Sequence, residues 1–335
     1  MFNNEKLTHI PVLLKEIETL TLSMKTSKNL KNESFNSIVD CTFGAGGHGR
    51  MFAKYASIIA FERDENYKNL HDNIENLPIQ IHYKCFSVIE HFVKIKNSEE
   101  IGNSVEIGNS VEIKNSEEIG NSVEIGNSVE IGNSEEIKNF IKKTDLIFAD
   151  LGLSSMQLDD ARGFSFMRDS DLNMYMGGEE NKSLKHILKY MPTYKIQEII
   201  KKYGEEKEAA KIANNIDRYR LKGDITTTFE LRKAIGNDKF PVLARVFQAF
   251  RIFINNEIEE LENLLKSIPK LTDTALIISF HSLEDRLIKH SFKKFKYSGF
   301  ILPSSEEINS NPKSRTAKLR FGSNIYDFSK IEFYN

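Results

Sequence analysis

The run Ser37-Ile-Val-Asp-Cys41, continuing as Thr42-Phe-Gly-Ala-Gly-Gly-His-Gly49, decides the fold. A short apolar stretch ends at an acid, Asp40, and opens into glycines. Arg50–Lys54 then reads as a helix start, and a second apolar run, Ser57–Phe61, ends at Glu62. Strand, glycine turn, helix, strand and acid in this order open a Rossmann-like α/β sheet. Gly44, Gly46 and Gly49 satisfy G-x-G-x-x-G, and Glu62 lies 18 residues beyond Gly44. Glycines there allow a tight turn and let a ligand approach the backbone, while the acid accepts hydrogen bonds from ribose hydroxyls. Two ligands fit, a dinucleotide and S-adenosylmethionine. A dinucleotide would set its pyrophosphate on the helix N-terminus. S-adenosylmethionine carries no phosphate, and Asp40 beside the glycines suits its ammonium and sulfonium charges. A glycine turn that binds nothing is the third alternative.

Two further runs extend the pattern. Ile79–Lys84 reads as a strand before Cys85-Phe86, where Phe86 is either an adenine platform or an ordinary core aromatic. Asp145–Asp150 (DLIFAD) is another apolar strand ending in an acid. Ligands of open α/β sheets sit at the carboxyl ends of the strands, so Asp40, Glu62 and Asp150 are expected to converge there.

The whole chain, 335 residues with 40% hydrophobic and 28% charged, suits one large domain or two smaller ones. No apolar run reaches about 18 residues, so no membrane span is expected. The N-terminus lacks the basic and apolar regions of a secretory signal. Two cysteines, Cys41 and Cys85, make neither a disulfide framework nor a four-ligand zinc site. A reducing cytoplasm and no metal are therefore expected. The net charge of −2 hides an asymmetry. Residues 97–138 are seven hexads of the type NSVEIG, with ten Glu and two Lys. Their phase is that of a left-handed β-helix, but one Ile per six residues is little material for a core. Asn, Ser, Gly and Glu equally describe a solvated, disordered loop, and that reading is preferred to a β-helical spur. Between Arg286 and Arg320, nine Lys or Arg face two Glu, a composition suited to a polyanion or to a plain solvated surface.

Longer blocks add a resemblance. They are Thr8–Leu14, Thr42–Gly49, Asp150–Asp160, Arg162–Arg168, Tyr203–Glu206, Arg245–Ile252 with Asn255–Glu257, Ile278–Arg286 and Asn311–Arg320. Together, and in this order, they resemble the bacterial small-subunit (16S) ribosomal RNA cytosine-N4 methyltransferase (MraW) family. The resemblance implies a class I S-adenosylmethionine-dependent methyltransferase domain over 1–157 and 248–335. It implies an inserted, mostly helical substrate-recognition domain over 158–247, with 97–138 as an added insertion. Lys207–Arg220 and Thr228–Ile235 independently read as helices. Phe250–Ser267 reads as one amphipathic helix returning to a strand, Ala275–Phe280. By resemblance the cofactor contacts are Gly46, Gly47 and His48 in the glycine loop, Glu62 at the ribose, Phe86 at the adenine, and Asp150 and Gln157. Met156 stands where the family has Pro, Glu62 where Asp is common, and Asn173 and Tyr175 where it has Asp and Arg. The implied partner is 16S rRNA within the small subunit; oligomeric state is left open, a homodimer included.

Methylating cytosine N4 requires holding a poor nucleophile in line with the methyl group and accepting a proton from it. Asp150, the Ser154 and Ser155 hydroxyls, and His281 are the candidate acceptors. For Asp150 the competing role is cofactor positioning. For His281 it is a structural hydrogen bond beside a capping box formed by Ser282 and Asp285. Glu284 and Arg286 either pair on their helix or meet RNA. Lys289, Lys293, Lys294, Lys296, Lys313, Arg315, Lys318 and Arg320 are candidate phosphate contacts, with Tyr297 and Phe300 as stacking or core aromatics. A nicotinamide-dependent oxidoreductase using the same glycines is the first rival; it leaves the SSMQLDD, FQAFR and SFHSLEDR blocks without a purpose. A non-enzymatic scaffold built on the hexads is the second.

Overall fold

The structure, a computed structural model, describes residues 11–31, 33–71, 74–86, 89, 144–159, 161–177 and 182–331. The hexads at 97–138 and the Thr8–Ile10 part of the first block lie outside them. Seven strands form one sheet: β1 (Ser37–Asp40), β2 (Ser57–Phe61), β3 (Ile79–His82), β4 (Leu146–Asp150), β5 (Thr274–Ser279), β6 (Tyr297–Ile301) and β7 (Lys318–Ser323). Their order is β3-β2-β1-β4-β5-β7-β6. The first five are mutually parallel, and β7 runs antiparallel between β5 and β6. The order reverses at β1, which has β2 on one side and β4 on the other, so a ligand crevice opens at the carboxyl ends of β1 and β4. This is the Rossmann-like sheet that the glycine run and the resemblance predict.

The apolar strands are continuous because both faces of the sheet are covered. Ile38, Ile58, Phe148, Leu276 and Ile278 point to one layer, where they meet Ile17, Leu20 and Met24 of the helix Leu14–Leu30 and Phe52 of the helix Gly47–Phe52. Val39, Ile59, Ile147, Ala275 and Ile277 point to the other, against Leu261, Leu264 and Ile268 of the helix Glu257–Leu271 and Ile288 and Phe292 of the helix Ser282–Phe292. A third core is helical. It draws on Thr193–Gly204, Ala209–Arg220, Thr228–Ile235 and Phe240–Ile254, with Phe164, Leu172 and Met174 sealing it from the preceding loop. Thr227 and Glu230 form a complete capping box that starts the third of these helices. Phe250 and Ile254 belong to this core, so the last helix runs through residue 247 without a break.

Three local expectations are corrected. The helix after the glycine loop starts at Gly47 rather than Arg50, with Gly46 as its N-cap at φ 79. A Cβ on Gly46 would come within 2.9 Å of the Phe43 ring, so both backbone angle and space call for glycine there. The helix expected over Phe250–Ser267 is two helices that break at Asn255 and Asn256. Asn256 is left-handed (φ 51), and the buried Asn255 spends its side chain elsewhere: Nδ2 donates to the Met174 and Arg251 carbonyls, and Oδ1 accepts from Met176 N–H. The capping box of the helix Ser282–Phe292 is formed by His281 and Glu284, one residue earlier than Ser282 and Asp285.

Candidate active site

A cleft of about 1270 Å³ of atom-free space, part of it open to solvent, lies at the crevice the strand order creates. Of the sequence-predicted residues, Gly47, His48, Glu62, Phe86, Asp150, Ser154 and Gln157 line it. Gly46 and His281 do not: Gly46 turns the chain, and His281 is spent as a helix cap, although its neighbours Phe280 and Glu284 reach the wall.

Glu62 is 7% exposed and ties the two strand ends together. Its Oε2 accepts from Gly44 N–H at 2.6 Å and its Oε1 from Asp64 N–H at 2.7 Å. Burial pushes its carboxyl up to about 7, against the pull of those N–H groups. Asp40 is fully buried; Oδ1 accepts from Thr42 N–H at 3.1 Å while Oδ2 has no partner. Burial, with Glu62 nearby, raises it to about 7 as well. Asp150 is fixed through its backbone N–H, which donates to Thr42 Oγ1 at 2.6 Å. Its Oδ2 stands 3.6 Å from His48 Nδ1, and its Oδ1 is buried without a partner. Burial, then the charges of Asp40 and Glu284, push its carboxyl well above the usual range. His48 Nε2 donates to the Val12 carbonyl at 2.9 Å, which leaves Nδ1 on the Asp150 side of the ring.

Asp64 was not singled out by sequence, yet it joins the sheet to the chain leaving it. Its Oδ2 accepts from Gln157 Nε2 at 3.0 Å and from Arg162 Nη2 at 2.6 Å. Against the upward pull of burial, Arg162 and Gln157 hold its carboxyl below the usual range. Gln157 Oε1 accepts from Ser154 N–H at 3.1 Å, and Ser154 Oγ accepts from Gln157 N–H and touches Tyr67 OH. Gln157 is therefore anchored at both ends despite Met156 before it, and Ser154 Oγ is occupied. The only sequence signal for Asp64 is its place two residues after Glu62. Asn173 Oδ1 caps the backbone of Tyr175, whose ring lies under Lys182.

The wall opposite the glycine loop is acidic: Glu257, Glu260 and Glu284 line it beside Asp150. Glu257, His281 and Glu284 bring one ligating atom each within 4.8 Å. Each is already engaged. Glu257 takes Arg251 at 2.9 Å, Glu284 accepts from Phe280 N–H at 2.9 Å, and His281 Nδ1 accepts from Glu284 N–H at 3.4 Å. A helix cap joined to a buried ion pair accounts for the group. Against burial, His281 and Arg251 hold Glu284 below its usual range. Arg286 meets neither this wall nor Glu284; it donates to Glu205 at 2.7 Å, and Ser282 Oγ donates to the same carboxylate at 2.6 Å.

Lys318 and Arg320, expected at phosphates, are both held by Asp285, at 3.1 and 2.6 Å. Lys313 lines the cleft mouth, and Lys289, Lys293, Lys294 and Arg315 are exposed. Cys41 and Cys85 are not joined in a disulfide, and Cys85 Sγ donates to Glu260 at 3.1 Å. Among the described residues no helix is long and apolar enough to cross a membrane.

A Rossmann-like sheet with a glycine turn and an acidic cleft at its switch point is an architecture of nucleoside-cofactor enzymes, methyltransferases among them. The chain belongs to the MraW methylase family, whose model matches residues 6–325. Among curated proteins, one from Wolbachia pipientis (Culex pipiens strain wPip) is 33% identical over 94% of this chain and 98% of its own length. One from Rickettsia canadensis is 30% identical over 96% and 99%. One from Sulfurihydrogenibium (strain YO3AOP1) is 43% identical over 55% and 70%. Each bears the name ribosomal RNA small subunit methyltransferase H.

Proposed function

We propose that this chain transfers the methyl group of S-adenosylmethionine to the N4 amine of a cytidine in 16S rRNA of the small ribosomal subunit. The observation that carries the reading is the cleft at the switch point of the sheet, which Glu62, Asp150, Glu257, Glu260 and Glu284 line. Such a cleft favours a cation over a pyrophosphate, which argues against the nicotinamide rival. S-adenosylmethionine, when bound, supplies an electrophilic methyl on a positive sulfur. Glu62 retains a lone pair on each oxygen for the ribose hydroxyls, the loop at Gly47 and His48 meets the polar tail, and Phe86 offers an adenine its face.

The S–CH₃ bond breaks as the N–CH₃ bond forms, and N4 must then shed a proton. Asp150 is the acceptor we assign, since it lines the cleft and its side chain is 20% exposed. Ser154 is occupied by Gln157 and Tyr67, and His281, a helix cap with Nε2 3.1 Å from Glu284, does not line the cleft. A positive charge beside Asp150 favours its ionised form, against the upward push of burial. The sequence limits of 1–157 and 248–335 for the catalytic part and 158–247 for the helical insertion are proposed with one shift: the insertion ends after Ile254, because the helix Phe240–Ile254 packs into the helical core as far as Ile254.

The test is methyl transfer from labelled cofactor to small subunits from cells lacking the family enzyme, read by nucleoside mass spectrometry. N4-methylcytidine at one site is the expected product; cofactor binding without transfer would leave a methyltransferase with another substrate. Deleting residues 97–138 should leave folding, cofactor affinity and transfer unchanged within about twofold, since such tracts add little to a packed core. Loss of a bound protein partner in that deletion would favour the scaffold rival.

A pH prediction follows from Asp40 and Glu62, both raised to about 7. Between about pH 4 and pH 7 the folded chain holds protons that the unfolded chain has released, so stability falls as pH rises through that window. The melting temperature of the free protein should fall from about pH 5 to about pH 7 and level off above that. The rise on adding S-adenosylmethionine should grow over the same interval, because its cation and hydroxyls favour the ionised acids. S-adenosylhomocysteine, with a neutral sulfur, should show a weaker trend.

A further inference from the structure

We infer that the sheet edge formed by β6 and β7, with the turn before β7, is the platform on which single-stranded RNA flanking the target base lies. The inference rests on the RNA methyltransferase reading above. Lys313 sits on the turn Pro312–Thr316 and lines the cleft mouth. The turn feeds through Arg315 directly into β7. Among the described residues neither Lys313 nor Arg315 has an ion pair, so both charges face solvent.

Beyond them Phe300 is 53% exposed and Leu302 55%, on the outermost strand and its exit. Phe300 pairs in register with Arg320, and Lys318 precedes Arg320 by two residues on the same face of β7. Lys318 Nζ lies 5.3 Å and Arg320 Cζ 5.5 Å from the ring centroid. Asp285 holds both cations in place. The ring is thus set on a cationic base while about half its surface remains open. An open aromatic face with free cations leading to a cleft matches the two needs of an unpaired strand, a stacking surface for bases and charges along the backbone. A base entering the cleft must leave its stack, which favours an unpaired segment on either side of it.

The test uses the full chain and a single-stranded oligoribonucleotide of about twelve nucleotides containing one cytidine. Phe300→Ala should weaken its binding, and raise KM for small subunits, about tenfold, with Phe300→Trp restoring both. Lys313→Gln with Arg315→Gln should flatten the dependence of log K on log salt by about 0.7 for each cation removed. For Phe300→Ala the cofactor Kd and kcat should stay at wild-type values, as they should for the control Lys266→Gln at an exposed position of the helix Glu257–Leu271. Unchanged affinity and salt slope in an active enzyme would overturn the inference. So would a joint loss of cofactor binding, which marks a structural role, or a defect seen only with assembled subunits, which marks a protein contact. Failure of the wild-type chain to methylate would instead remove the parent reading, while the oligonucleotide arm still reports on this face.

Discussion

Asp150→Asn is expected to lower kcat by about 10²–10³, the range seen when a proton acceptor or a preorganised polar group is removed at a reacting centre. The fold should survive, because Asp150 is held by its backbone N–H to Thr42 and the amide fills the same volume. The KM for small subunits should stay near wild type, since the lost interaction forms as N4 becomes cationic. The discriminating reading is the pH profile. With Asp150 as acceptor, the wild-type rate falls on the acid side as its carboxylate is protonated, and the variant loses that limb. A variant with equally low kcat but an unchanged limb would reduce Asp150 to a positioning residue.

Arg251→Met is expected to cost about 3–5 kcal/mol, the usual effect of removing one partner of a buried ion pair. Arg251 and Glu257 are each only 14% exposed and share three short contacts, and Glu284 lies near enough to favour the same charge. Without the guanidinium, two carboxylates are left in a nearly dry wall. Their pKa values then rise, so the deficit of the variant shrinks as pH falls and they take up protons. Urea titrations at two pH values measure this. Adding Glu257→Leu should recover part of the loss, because an apolar pair carries no desolvation cost. A loss below about 1 kcal/mol would show that water reaches the pair.

The glycine turn and the three acids were legible because each is local: a strand that ends at the carboxyl edge shows as an apolar run closed by Asp or Glu. The residues that the resemblance proposes for the cofactor, Gly47, His48, Glu62, Phe86, Asp150 and Gln157, line the cleft. What sequence missed is long-range. Asp64 reaches Gln157 and Arg162 across 93 and 98 residues, and Arg286 finds Glu205 rather than a helix neighbour. The break at Asn255 is equally hidden, because amphipathic spacing continues through it and only Met174 and Met176, 81 and 79 residues earlier, give the side chain its partners.

The sequence by itself determined the fold class and the ligand edge of the sheet, since periodicity and glycine spacing express constraints between near neighbours, while the family came from the resemblance of the longer blocks in their order. The tertiary structure alone decided which charges are spent and which are free. Lys318 and Arg320 look like Lys313 and Arg315 in the sequence, but Asp285 lies beside the first pair and no described acid beside the second. Ser154 and His281 carry the right chemistry for proton transfer, but Ser154 is engaged and His281 stays out of the cleft that Asp150 lines. Chemical type is written in one residue; availability depends on every group that folding brings within hydrogen-bond reach, and in a buried cleft that difference sets both charge state and role.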